Sequence, residues 1–316
     1  MKTIRRAGNN MAFIAGAGLT NIDLLYTGMP RIPDAGEEIY SEGFELQLGG
    51  GLPATLINLG RLGVECKIAT GLGNDIFSEF AKGKFAENKV SPVNLYKGDG
   101  IPVNITSAVI LKDDRSFITY GGGSMNADDA ARQTFYELAH GSKITLMQPG
   151  GFLEVYRKLH DEGTVLVLDT GWDDELSVKK YKDYLDIADY YTPNKKEALK
   201  ITDTDRVYDA LKVLGKYFEK PVVKLDRDGV IGVQNGRQVF VGSVERFTNV
   251  DSTGAGDAFL AGFSYGLFYD CPFEDCLLYG NITGGKCVTA TGALSAYVTK
   301  DELLQIASEE RSLTEE

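Results

Sequence analysis

Four short apolar segments constrain this chain more than any other feature. They are MAFIAGAG at 11–18, KITLMQPG at 143–150, TVLVLDTG at 164–171 and PVVKLD at 221–226. Each is short for a helix and stops at Gly, Pro or Asp, the residues that punctuate strands. Longer stretches with helical spacing lie between them. ATLINLGRLG puts Leu56, Leu59 and Leu62 on one stripe, TDRVYDALKVLGKYF is a second such stretch, and TKDELLQIA opens with a capping box from Thr299 to Glu302. Strands alternating with helices predict a mainly parallel sheet covered on both faces, a three-layer α/β/α domain. The 316 residues suffice for one such domain, and no repeat, linker or second core divides them.

Two segments break the rhythm. Residues 36–50 (GEEIYSEGFELQLGG) and 103–123 (VNITSAVILKDDRSFITYGGG) are β-like, the second with a central DD turn. They are expected to pair as a small β-sheet lid inserted in the domain; two edge hairpins of the main sheet are the alternative. The first ten residues read as a loose basic leader that imitates a signal peptide. Residues 308–316 read as a solvated tail.

The formal net charge of −12 argues against a nucleic-acid partner, which would recruit Lys and Arg clusters. Cys66, Cys271, Cys276 and Cys287 show no CxxC spacing and there are only two histidines, so neither a zinc site nor a disulfide scaffold is expected. Free thiols and the absence of any membrane-length apolar run suggest a cytoplasmic protein with no membrane partner.

The stretch DSTGAGDAFLAGF, from Asp251, is the most informative. Gly254, Ala255 and Gly256 carry almost no side chain, and the apolar helix that follows puts their N–H groups at a helix N-terminus. Orphan donors and the positive end of the dipole make that an anion site. Asp257 would repel a phosphate that was merely held there. Its presence makes sense if it takes a proton from a hydroxyl attacking a phosphoryl group on the turn. A plain turn, with Asp257 favouring the dipole, is the bland reading.

This stretch resembles the C-terminal signature D-[ST]-x-G-A-G-D of the ribokinase-like (PfkB) carbohydrate kinase family, and matches it in full. The family's signatures recur in order from Asn21 to Ala293. The resemblance implies the ribokinase-like fold and an ATP-dependent phosphotransferase acting on a hydroxyl of a sugar-like substrate. Asp257 would be the general base, and the amides of Gly254, Ala255 and Gly256 the anion hole. GLTNIDLL implies Asn21 and Asp23 as acceptor ligands, a carboxylate suiting a vicinal diol; a turn-capping aspartate is the alternative. LGGGLPATLINLGRLG implies Gly50 and Gly51 beside the sugar. YTPNKKEA carries N-x-x-E as Asn194 and Glu197, which in the family act through water on Mg²⁺ and the phosphates; the same spacing also makes a helix cap. VVKLDRDG and the segment near Asn281 imply nucleotide contacts from Lys224, Gly229 and Asn281. Asp251 would help hold a monovalent cation such as K⁺, and pairing through the lid would give a homodimer.

The chain departs from the pattern where the family has Asn and this sequence Ala54, and where ribose-specific members have Glu and this one Pro149 and Gly150. Two sugar-facing polar groups are therefore missing. A free sugar or sugar acid ranks first as acceptor. A nucleoside ranks second, with Tyr40, Phe44 and Phe117 to stack on a base; a sugar phosphate would need Lys112 and Arg115. From other classes stand a NAD-dependent oxidoreductase, through the weak fingerprint GAGLTN, and a non-catalytic sugar sensor. GNITGGKC at 280–287 is one residue from a P-loop, but DCLLYG before it reads as helix rather than strand.

Overall fold

A computed structural model describes residues 12–111, 115–122, 125 and 127–314. The basic leader and Lys112 lie outside the described residues. The elements in chain order are β1 (Ile14–Ala17), β2 (Asn21–Thr27), β3 (Gly43–Leu48), α1 (Leu52–Arg61), β4 (Cys66–Thr70), α2 (Ile76–Glu87), β5 (Val90–Asn94), β6 (Asn104–Ile110), β7 (Arg115–Tyr120), α3 (Asp129–Ala139), β8 (Ile144–Met147), α4 (Leu153–Asp161), β9 (Val165–Leu168), α5 (Val178–Leu185), β10 (Tyr190–Tyr191), α6 (Lys195–Thr202), α7 (Val207–Leu214), β11 (Val222–Lys224), β12 (Val230–Gln234), β13 (Arg237–Val241), α8 (Ala255–Phe268), α9 (Phe273–Cys287) and α10 (Lys300–Thr314).

The four apolar segments form β1, β8, β9 and β11. The main sheet has the order β10-β9-β8-β1-β4-β5 and is parallel throughout. A bridge between Asn194 and Lys224 attaches the antiparallel sheet β11-β12-β13 beside β10. Side chains alternate across a strand, so each strand feeds two cores. Ile14, Ile68, Leu146 and Val167 pack with α1, α2, α8, α9 and α10. Ala15, Ala69, Met147, Leu166 and Leu168 pack with α3 to α7 on the other face. The three layers follow.

A separate four-stranded sheet has the order β3-β2-β6-β7. β3 comes from the first irregular segment and the β6–β7 hairpin from the second, so the two do share a sheet. They do not pair with each other directly. β2 lies between them, antiparallel to β3 and parallel to β6. The segment 308–314, expected as a loose tail, instead continues α10 to Thr314; Arg246 pairs with Glu309 and Glu310 there, and Arg311 with Asp275. The Thr299–Glu302 capping box forms as expected. The P-loop lookalike lies inside α9. Among the described residues no helix is long and apolar enough to cross a membrane.

Candidate active site

The chain runs from β1 to β4 and β5 on one side, then crosses to β8, β9 and β10 on the other. The carboxyl edge between β1 and β8 is therefore the topological switch point, where open α/β sheets bind ligands. Asp169 at the end of β9, Asn194 after β10 and Lys224 at the end of β11 gather along the same edge.

Gly254 caps α8 with φ +77°, and a Cβ there would come within 2.6 Å of the Ala293 backbone. Only glycine combines that left-handed turn with that approach. Ala258 N–H closes the first helical bond onto Gly254, and Ala255 N–H donates to the Ser252 carbonyl at 3.3 Å; the amides of Gly254 and Gly256 stand beside it at the helix end. Gly262, one turn on, lets α8 lie against α9, because a Cβ would strike the Tyr279 carbonyl at 2.3 Å.

Asp257 is half-buried in the first turn of α8, and its Oδ2 accepts the Gly51 N–H at 2.8 Å. Burial chiefly, and the negative charge of Asp169, push its carboxyl up to about 6; the Gly51 N–H and the Lys224 ammonium pull the other way. Asp23 on β2 is also raised to about 6, by burial. A Cβ on Gly49 would lie 2.7 Å from both carboxylate oxygens of Asp23, so only glycine fits beneath that carboxylate. The turn 49–51 thus touches both acids: Gly49 lies against Asp23, and Gly50 and Gly51 lie against Asp257. The buried Asn21 Oδ1 has no hydrogen-bond partner among the described residues, and a buried acceptor left so is costly unless a ligand donor meets it.

The register places further polar groups beside Asp23. Gln47 on β3 and Thr106 on β6 are its cross-strand partners, and Thr119 on β7 pairs with Thr106 in turn. Leu25 and Gln47 on this face approach Gly292 of the main domain, so the row Gln47, Asp23, Thr106 and Thr119 faces the main domain. Phe44, paired with Tyr26, is on the opposite face, and Tyr40 is 81% exposed. Phe117 alone of the three aromatics shares the face of Asp23.

Asn194 and Glu197 form a reciprocal capping box on α6, at 2.9 and 2.8 Å. Burial raises the Glu197 carboxyl, opposed by Lys224. Glu197 uses Oε2 in the cap, and Asp169 adds a second carboxylate nearby. Among the described residues no group of three or more His, Cys, Asp or Glu gathers as a direct metal cage. Carboxylates of this kind suit the water shell of a hydrated Mg²⁺. The Lys224 Nζ lies 3.3 Å from the position a Cβ on Gly256 would occupy and 5.6 Å from the centre of the Phe259 ring. It therefore puts a cation beside the turn 254–256. Gly229, at φ +102°, turns into β12 against Val241, and the Asn281 amide donates to the Val241 and Gly242 carbonyls. Both brace one wall.

Asp251 stands just before the anion turn. Its Oδ1 accepts from the Thr253 N–H, the Thr253 hydroxyl and Arg115, and its Oδ2 from the Gly292 N–H. These donors hold its carboxyl below the usual range although burial alone would raise it. Sequence reasoning did not single out Gly49, Asp169 or the Arg115–Asp251 contact. Gly49 adjoins two glycines that were singled out, and Asp169 ends a strand at the sheet's carboxyl edge. No local signal marks the contact.

A three-layer domain with a separate small sheet over the carboxyl edge, and a glycine turn ahead of an aspartate, define a ribokinase-like fold. A structure of Arabidopsis thaliana ribokinase complexed with ribose and ATP superposes with a TM-score of 0.79 at 21% identity, covering 94% of this chain and 99% of that one. A nucleoside kinase of Methanocaldococcus jannaschii superposes with a TM-score of 0.75 at 18% identity, covering 96% and 100%. The profile of the pfkB family carbohydrate kinases matches residues 11–300, so the chain belongs to that family. A ribokinase of Lactococcus lactis is 25% identical over 290 residues, 90% of this chain and 93% of the relative.

Proposed function

We propose that the protein transfers the γ-phosphoryl group of ATP to a hydroxyl of a free sugar or sugar acid. The observation that carries this reading is the turn 49–51, which lies against Asp23 on one side and donates to Asp257 on the other. A hydroxyl held by Asp23 and Asn21 then lies within reach of a base, beside amides able to receive the phosphoryl group. Asp257 takes the hydroxyl proton, the oxygen forms its bond to phosphorus, the bond to the ADP oxygen breaks, and ADP leaves. Gly254, Ala255 and Gly256 stabilise the charge on the transferring group through their amides, and Lys224 adds a cation at the same turn. Asn194 and Glu197 would hold Mg²⁺ through its water shell; the ion supplies charge neutralisation of the phosphates. The small sheet closes over the acceptor and excludes competing water.

The row Gln47, Asp23, Thr106 and Thr119 favours a polyhydroxyl acceptor over a base. Sugars offer hydroxyls that such groups pair with, whereas Phe44 and Tyr40 are not placed to stack on a base and Phe117 alone shares the face of Asp23. ADP release across sugars, sugar acids, nucleosides and sugar phosphates tests this. Turnover confined to nucleosides would overturn the acceptor class, and no acceptor-dependent turnover at all would favour a sensor.

Two predictions follow from the electrostatics. Asp23 must accept and Asp257 must take a proton, so both act as carboxylates. With both near 6, log kcat/KM should fall below pH about 6 with a slope approaching two, and stay level above it. A slope of one would remove one of them from the free-enzyme titration. Lys224→Met should raise the KM for ATP and lower kcat by about tenfold or more. It should also move the acidic limb upward, because the ammonium holds down both Asp257 and Glu197. An unmoved limb would separate Lys224 from the base.

A further inference from the structure

Resemblance to the family implies a monovalent cation at Asp251, and the residues present do not fit one. Four protein donors already crowd this carboxylate, three on Oδ1 and one on Oδ2. Thr253 gives its N–H at 3.0 Å and its hydroxyl at 2.8 Å, Gly292 gives its N–H at 2.9 Å, and Arg115 Nη1 sits 2.6 Å from Oδ1. The same Nη1 donates to the Thr253 hydroxyl oxygen at 2.6 Å. The Cys287 thiol also lies 3.5 Å from both the Thr253 and Ala293 oxygens, where its one proton serves one of them at a time; burial raises it to about 12, so it remains a thiol.

We infer that Arg115 takes the place of the monovalent cation at Asp251 and couples the small sheet to the anion turn. Arg115 is the first residue of β7, and its side chain points to the same face as Phe117 and Thr119, toward the main domain. Its contact spans 136 residues of sequence and joins the start of β7 to the residues immediately before Gly254. A guanidinium keeps its charge at every working pH and presents a rigid fork. Tethered to the sheet, it does not depend on the ion's concentration in solution. The charge beside the turn is complete only when the start of β7 lies against the main domain. Arg115 acts through Asp251 and Thr253 on the turn, so it is a positioning residue.

The inference rests on the kinase reading, and its test separates the two. Wild type, Arg115→Ala and Arg115→Lys are assayed in potassium chloride and in tetramethylammonium chloride at equal ionic strength, with turnover and melting temperature measured in each. Wild-type turnover and melting should be the same in both salts. Arg115→Ala should lose at least about tenfold in kcat in tetramethylammonium, recover in part with potassium, and melt higher in potassium. Arg115→Lys, which keeps the charge without the fork, should lie between and controls for folding. Potassium dependence of the wild type overturns the inference. So does an Arg115→Ala protein that is equally active in both salts, or one that potassium does not restore. Failure of the kinase reading would appear instead as absent turnover in every salt, while the melting comparison would still report on the cation.

Discussion

Asp257→Asn should lower kcat by about 10²–10⁴-fold and leave a protein that melts at a higher temperature than the wild type. The two effects have one origin. Burial raises the Asp257 carboxyl to about 6 from an ordinary 3.8, so the folded state holds that proton more tightly than the unfolded chain does. Folding is therefore favoured below pH about 4, weakens as the pH rises to about 6, and carries the penalty of a buried charge above that. Asn removes the charge while its amide oxygen can still accept the Gly51 N–H. The gain at pH 7.5 should reach up to about 3 kcal/mol, and it should vanish near pH 4. Chemical denaturation at the two pH values checks it alongside turnover. Equal turnover in the two proteins would remove Asp257 as base, and equal stability at pH 7.5 would mean that its charge is well solvated.

Gly254→Ala should cost kcat at least about 10²–10³-fold, the loss typical of one missing anion-stabilising donor. The added methyl meets Ala293 Cβ at 2.5 Å and the backbone at 2.6 Å, at a φ of +77° that alanine resists. The turn must re-form with its amides aimed elsewhere. Strain of this kind costs about 1–3 kcal/mol, so the variant should remain folded at 25 °C with a lowered melting temperature. Acceptor affinity should change little, since Asp23 and Gly49 are on another segment. A folded variant with wild-type kcat would show that the phosphoryl group does not rest on this turn.

The layered fold was legible because period and punctuation are local. β1, β8, β9 and β11 each announce themselves by an apolar run and a terminal Gly, Pro or Asp. The helix start at Gly254 was legible because glycine, small residue and apolar helix sit next to one another in sequence. β2 was not recognised as the middle strand of the small sheet, since Asn21 to Thr27 pairs with segments about 20 and 80 residues distant and nothing within seven residues encodes a partner. The tail was misread for a related reason. SEERSLTEE is polar but for Leu313, yet ion pairs from Arg246 and with Asp275 hold its helical part against elements far away in the chain. Asp251 shows the same limit, because Arg115, which contacts its carboxylate, lies 136 residues away in the chain.

The placement of β2 has a consequence for how such an enzyme diversifies. Only three residues, Gly18, Leu19 and Thr20, separate β1 from β2, yet they carry the chain out of the main sheet and into the small one. Asn21 and Asp23, the groups expected to recognise the acceptor, therefore belong to the small sheet, while Asp257, Lys224 and the anion turn belong to the main domain. On the proposed reading, acceptor preference and phosphoryl chemistry would lie on two surfaces that meet at the turn 49–51 and at the Arg115–Asp251 contact. On this reading, substitutions in β2, β3 and β6 would redirect the enzyme to new acceptors with little effect on its chemistry, whereas β7 carries Arg115 and is tied to both. The three glycines of that turn would then be held fixed, because they are the joint at which any new acceptor would be presented to Asp257.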